Sequence, residues 1–237
     1  MTLSAPIYIL KHQAKVLARK ERIALHRALD RIARREGFSA WSLLSAAADS
    51  SVPMSDLYAQ LRPGELVLLG SRPGQGKTLL SVELAIRTMR EGRSAAFFTL
   101  DLTRSDVAER FQVLGERLET YRDRFLFDDS NDICADYIIA ALAAAAPGTL
   151  VIVDFLQLLD QRRSNPDLMT QVRALSAFAR ARRLIVVCIS QIDRSFDPSK
   201  RAVPDAGNVR LPNPVDLALF DKMCFLNHGK LQIGSTA

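Results

Sequence analysis

From Gly64 onward, short runs rich in Val, Ile, Leu and Phe alternate with longer stretches whose apolar positions recur three and four residues apart. The first kind reads as strand buried on both faces, the second as amphipathic helix. The predicted order is strand 66–70, helix 77–90, strand 95–100, helix 104–118, strand 125–127, helix 134–146, strand 150–154, helix 169–182, strand 184–190 and a closing pair near 223–226 and 230–233. Doubly buried strands joined by helical crossovers make an α/β fold with a mostly parallel, twisted sheet flanked by helices.

Upstream the pattern is different. Residues 6–48 read as short helices: Ile7, Leu10, Ala14 and Leu17 recur at helical spacing, as do Leu25, Ala28, Leu29 and Ile32. Gly37 supplies a helix stop, and Ser39 is expected to cap a third helix carrying Trp41 and Leu44. Phe38 and Trp41 are assigned to the core of this segment. The stretch 46–53 reads as a linker, which divides the chain into a basic helical segment, 1–50, and an α/β domain, 51–237.

Composition narrows the class. With 48% hydrophobic and 24% charged residues over 237 positions, the chain can bury a core without disulfides or a structural metal, and disordered or collagen-like classes are excluded. No apolar run approaches the roughly 18 residues of a membrane span, since Asp154 interrupts the most apolar one. Lys11, Lys15 and Arg19 stand where a secretory signal would carry its apolar stretch. Cys134, Cys188 and Cys224 are odd in number and far apart, which points to buried thiols in a reducing cytoplasm. The scattered His12, His26 and His228 suggest no zinc or haem. Net charge is +6, and residues 11–35, with nine Lys or Arg against Glu21 and Asp30, carry +7. That one segment supplies the whole excess, and it suits a polyanionic partner.

The sharpest chemical signal is Gly70-Ser71-Arg72-Pro73-Gly74-Gln75-Gly76-Lys77-Thr78, lying between a predicted strand and a predicted helix. A phosphate-binding P-loop needs that context. Gly74 and Gly76 let the backbone close around phosphate, the amides of Gly76, Lys77 and Thr78 open a helix whose N-terminus favours anions, and Lys77 can neutralise the β- and γ-phosphates. The Thr78 hydroxyl would hold Mg²⁺. Ser71 occupies the first position of the signature, with Gly70 one residue early. The apolar strand 150–154 ends in Asp154, the candidate for the acid that such a site places near Mg²⁺.

Four segments in order, S-R-P-G-Q-G-K-T, F-F-T-L-D-L, V-I-V-D-F-L-Q-L-L and I-S-Q-I-D-R-S, resemble the successive motifs of the ATPase domain of DnaB-type replicative helicases, a branch of the RecA-like P-loop ATPases. The resemblance runs from Leu61 to Leu226. It implies a RecA-like core that binds ATP and Mg²⁺, with Lys77 and Thr78 as the nucleotide-binding pair, Asp154 as the Mg²⁺-associated acid and Gln191 as the γ-phosphate-sensing glutamine. The family's water-orienting glutamate matches Asp101, one methylene shorter, which implies slow hydrolysis. The family's C-terminal Lys-x-Arg pair has no counterpart here, because Lys230 is followed by Leu231 and Gln232. Slow hydrolysis linked to single-stranded DNA or replication is therefore expected, with homo-oligomers or a helicase as protein partners. The alternatives are a nucleotide-dependent switch with weak catalysis and a regulator that docks on a helicase. Arg162 and Arg163, with Arg194, Lys200, Arg201 and Arg210, fall in the loops that face the family's DNA channel, and the Lys11, Lys15, Arg19 stripe is a second basic surface.

Overall fold

Strands β1 (Leu66–Ser71), β2 (Ala95–Thr99), β3 (Phe125–Asp128), β4 (Leu150–Asp154), β5 (Ile185–Gln191), β6 (Lys222–Asn227) and β7 (Lys230–Ser235) form one sheet in the computed structural model, in the order β3-β2-β4-β5-β1-β6-β7. The structure describes residues 7–49, 54–193, 196, 203–210, 213–227 and 230–235. All neighbours pair in parallel except β6 and β7, which are antiparallel. The doubly apolar strands of the sequence are thus doubly covered. Val67, Leu69, Ile152, Val187 and Ile189 face one core with α5 (Lys77–Arg90) and α6 (Arg104–Val113), the fifth and sixth helices of the chain. Leu66, Leu68, Val151, Val153 and Val186 face the other with α7 (Ala135–Ala141) and α8 (Leu168–Arg182). Four helices precede the sheet: α1 (Ile7–Glu21), α2 (Leu25–Arg35), α3 (Trp41–Asp49) and α4 (Met54–Gln60). Leu57 of α4 joins the first sheet core. Leu10, Ala14, Ala28, Ile32, Ala33, Phe38, Leu43 and Leu44 build a separate core for α1–α3, with Trp41 half-buried against it and Val113 of α6 reaching in.

Several boundaries differ from the sequence reading. The helix expected over 104–118 stops at Val113, because Gly115 turns left-handed (φ 77°), and a short 3-10 turn, Leu118–Tyr121, follows. The helix expected to reach Ala146 ends at Ala141. Leu142 is the last side chain of that stretch with a core to enter, Ala143 and Ala144 are exposed, and Pro147 disfavours helix at Ala146. The third helix is held at its start by Asp30, whose Oδ1 accepts the Trp41 N–H at 2.9 Å, rather than by Ser39. Residues 46–49 continue α3 instead of opening the linker, and 50–53 lie outside the described residues.

Candidate functional site

In a parallel sheet every strand delivers its last residue to one edge, and here that edge collects the chemistry. Ser71 of β1 stands beside Gln191 of β5, Asp154 of β4 beside Ile189 of β5, and Thr99 of β2 beside Asp154. The crevice beyond the carboxyl ends of such strands is where α/β sheets bind ligands.

The loop 72–76 leaves β1 there and turns straight into α5. Gly74 (φ 77°) and Gly76 (φ 87°) both adopt left-handed backbone, and Gly76 is the N-cap of α5 without a side-chain cap, so backbone amides present the positive end of a fourteen-residue helix. The displaced first glycine has a packing cause. A Cβ on Gly70 would stand 2.9 Å from the Phe225 ring and 3.0 Å from Ile192 Cδ1. Ser71 ends the strand fully buried, its hydroxyl donating to the Arg72 carbonyl at 3.1 Å.

Thr78 Oγ1 donates to Asp154 Oδ2 at 3.1 Å, although β5 lies between their strands. Burial pushes the Asp154 carboxyl up to about 6, against the pull of Lys77 and the Thr78 hydroxyl toward the charged form. Burial likewise lowers the Lys77 ammonium, with Asp154 and then Asp101 raising it. Asp101 is exposed on the turn after β2, where its N–H donates to Thr99 Oγ1 at 3.1 Å. A hydroxyl and a carboxylate side by side are hard oxygen donors of the kind Mg²⁺ takes, and that ion completes its octahedron with water and substrate phosphates. Thr78 and Asp154 therefore fit such an ion; among the described residues there is no larger acidic, His or Cys cluster for one.

Gln191 ends β5, half-exposed, and its carbonyl accepts the Arg210 N–H at 2.9 Å. The Ile192–Val209 bridge continues that pairing, so the segment bearing Arg210 returns under the end of β5. Gln157, after β4, locks the junction by donating to Ser190 Oγ at 3.2 Å and to the Arg210 carbonyl. Arg163 and Arg210 are exposed, whereas Arg162 is ion-paired with Asp132. Arg194, Lys200 and Arg201 lie outside the described residues.

Two contributions were not foreseen. Arg110 of α6 and Ser42 and Leu43 of α3 line a cleft of about 100 Å³ together with Gly74, Gly76, Lys77, Thr78 and Leu79. Burial lowers the Arg110 guanidinium too, opposed by Asp106 and Asp154, yet an arginine stays charged at any physiological pH. The one sequence signal for Arg110 is its place between Val107 and Phe111, which turns its side of α6 inward.

A parallel sheet with a P-loop at the end of β1 and an acid at the end of β4 defines a RecA-like P-loop nucleotide-binding protein. No family model matches the chain. Among curated proteins it is similar to a "Probable plasmid replicative DNA helicase" of Chlamydia muridarum (24% identity; 74% of this chain, 48% of the relative) and to "Replicative DNA helicase DnaB" of Mycoplasma genitalium (22%; 75% and 46%). The chain spans about half the length of these relatives. Among solved structures it superposes on the ATPase domain of a DnaB-type protein with a TM-score of 0.56 at 17% identity, over 73% of this chain and 74% of that one. A KaiC-like protein of Pyrococcus horikoshii superposes with a TM-score of 0.54 at 16% identity, over 74% of this chain and 77% of that one. Resemblance to DnaB-type helicases thus holds in sequence, and the RecA-like architecture holds in structure. Among the described residues, no helix is long and apolar enough to cross a membrane.

Proposed function

We propose that the chain is an ATPase unit that binds ATP with Mg²⁺ at the P-loop and couples it to DNA, in the manner of the replicative helicases it resembles. The observation that carries this reading is the Thr78–Asp154 contact beside Lys77 at the N-terminus of α5. The glycine loop and α5 amides cradle the phosphates, Lys77 and Arg110 neutralise their charge, and Thr78 with Asp154 hold Mg²⁺, which supplies charge neutralisation when bound. Asp101 is the carboxylate placed to orient a water and take its proton, and Gln191 meets the γ-phosphate end. Arg163 and Arg210, with Arg162, Arg194, Lys200 and Arg201, are the loop cations proposed for DNA. Residues 1–50 would be a separate helical segment and 51–237 the ATPase domain.

A second reading is a nucleotide-dependent switch with weak catalysis, favoured by the short Asp101 side chain; docking on a helicase partner is its variant. For the main reading, Lys77→Ala should weaken binding of a fluorescent ATP analogue by at least about tenfold, the scale of one charge-assisted contact. A folded variant with undiminished affinity would remove the assignment. Steady-state turnover of the parent, with and without single-stranded DNA, separates ATPase from switch.

A further inference from the structure

We infer that the paired helices α1 and α2 form a platform for the phosphate backbone of nucleic acid, apart from the P-loop cleft and from the loops after β4 and β5. Arg19 and Lys20 on α1 and Arg27, Arg31, Arg34 and Arg35 on α2 are all exposed. On α2 these positions fall at i, i+4, i+7 and i+8, one helical stripe. The neighbouring acids leave the surplus standing: Asp30 turns inward to accept the Trp41 N–H, and Glu21 pairs with Arg31, which joins the two helices.

The other side of the pair is already committed. Ala14, Ala28, Ile32 and Ala33 are buried against Phe38 and Leu44. A helix that lies on a lipid surface needs its apolar face free, and here that face is occupied; exposed Val16 and Leu25 are isolated. What remains outward is guanidinium-rich, and planar guanidinium matches phosphate oxygens in bidentate fashion. No Phe, Tyr or Trp lies between Arg19 and Arg35, and Trp41 packs into the helical core, so the platform would hold backbone without stacking on bases. This inference does not rest on the nucleotide reading.

The test uses the full chain with a short labelled DNA duplex and the matching single strand across a salt series. Binding should fall steeply, with a log–log slope of about −0.9 per phosphate contacted on duplex and about −0.7 on single strand. The combined Lys20→Gln, Arg27→Gln and Arg34→Gln variant should flatten the duplex slope by about 2 to 3, and Arg34→Gln alone by about 1. The charge-keeping combination of Lys20→Arg, Arg27→Lys and Arg34→Lys should retain it. An unchanged slope in a charge-removed variant that melts like the parent overturns the proposal. So does a slope lost with Arg162→Gln and Arg163→Gln but not with the helix variants, or equal retention on phosphatidylserine vesicles.

Discussion

Asp101 is one methylene short of the carboxylate that its position suggests, and it stands on an exposed turn pinned by the Thr99 hydroxyl. A displacement of about 1 Å in a water-orienting group can cost on the order of 10²-fold in rate. Asp101→Glu should therefore raise steady-state ATP turnover, by up to that factor, while affinity for the ATP analogue stays close to the parent's. A fall in turnover would show that the turn has adapted to aspartate. Lys77, Thr78 and Asp154 were legible in the sequence because each follows from a local requirement: a loop tight enough for glycine, a helix N-terminus, an apolar strand closed by an acid. Arg110, Ser42 and Leu43 were not, since their place at the cleft depends on how α6 and α3 pack over α5, and no local pattern encodes that.

Helix interiors and strands follow from periodicity, and their ends follow from the tertiary core. The alanine run 143–146 has high helix propensity but leaves the helix because Leu142 is the last residue with a core to enter. The first-glycine shift in the P-loop is also settled by packing between elements, β1 against β6, where Gly70 opposes Phe225 in register. Gly70→Ala must push the Phe225 ring aside, and overpacking of this kind costs about 1–3 kcal/mol. In a protein of this size that corresponds to a melting temperature lower by roughly 2–4 °C per kcal/mol. The effect is measured by thermal unfolding of Gly70→Ala beside Gly70→Ala/Phe225→Leu. The smaller partner should recover part of the loss relative to Phe225→Leu alone, and an unshifted melting temperature would show that the ring yields freely.

Across the whole molecule, two cores flank the sheet while a third, smaller core serves α1–α3 and meets the rest chiefly at Val113 and at the P-loop cleft. A unit with few contacts to its neighbour opens at lower free energy than the body it sits on. Amide hydrogen exchange should accordingly find α1–α3 exchanging as one group, less protected than β1, β4 and β5. Because Ser42 and Leu43 wall the cleft, an ATP analogue with Mg²⁺ bound at Lys77 should raise protection at the start of α3 together with 74–79, and change α1 and α2 less. That pattern would place the helical group within reach of the nucleotide state, so that what binds its basic face and what fills the P-loop bear on one another through α3. Protection of α1–α3 equal to that of the central strands would mean one cooperative unit. A nucleotide response confined to 74–79 would mean that α3 is a passive wall.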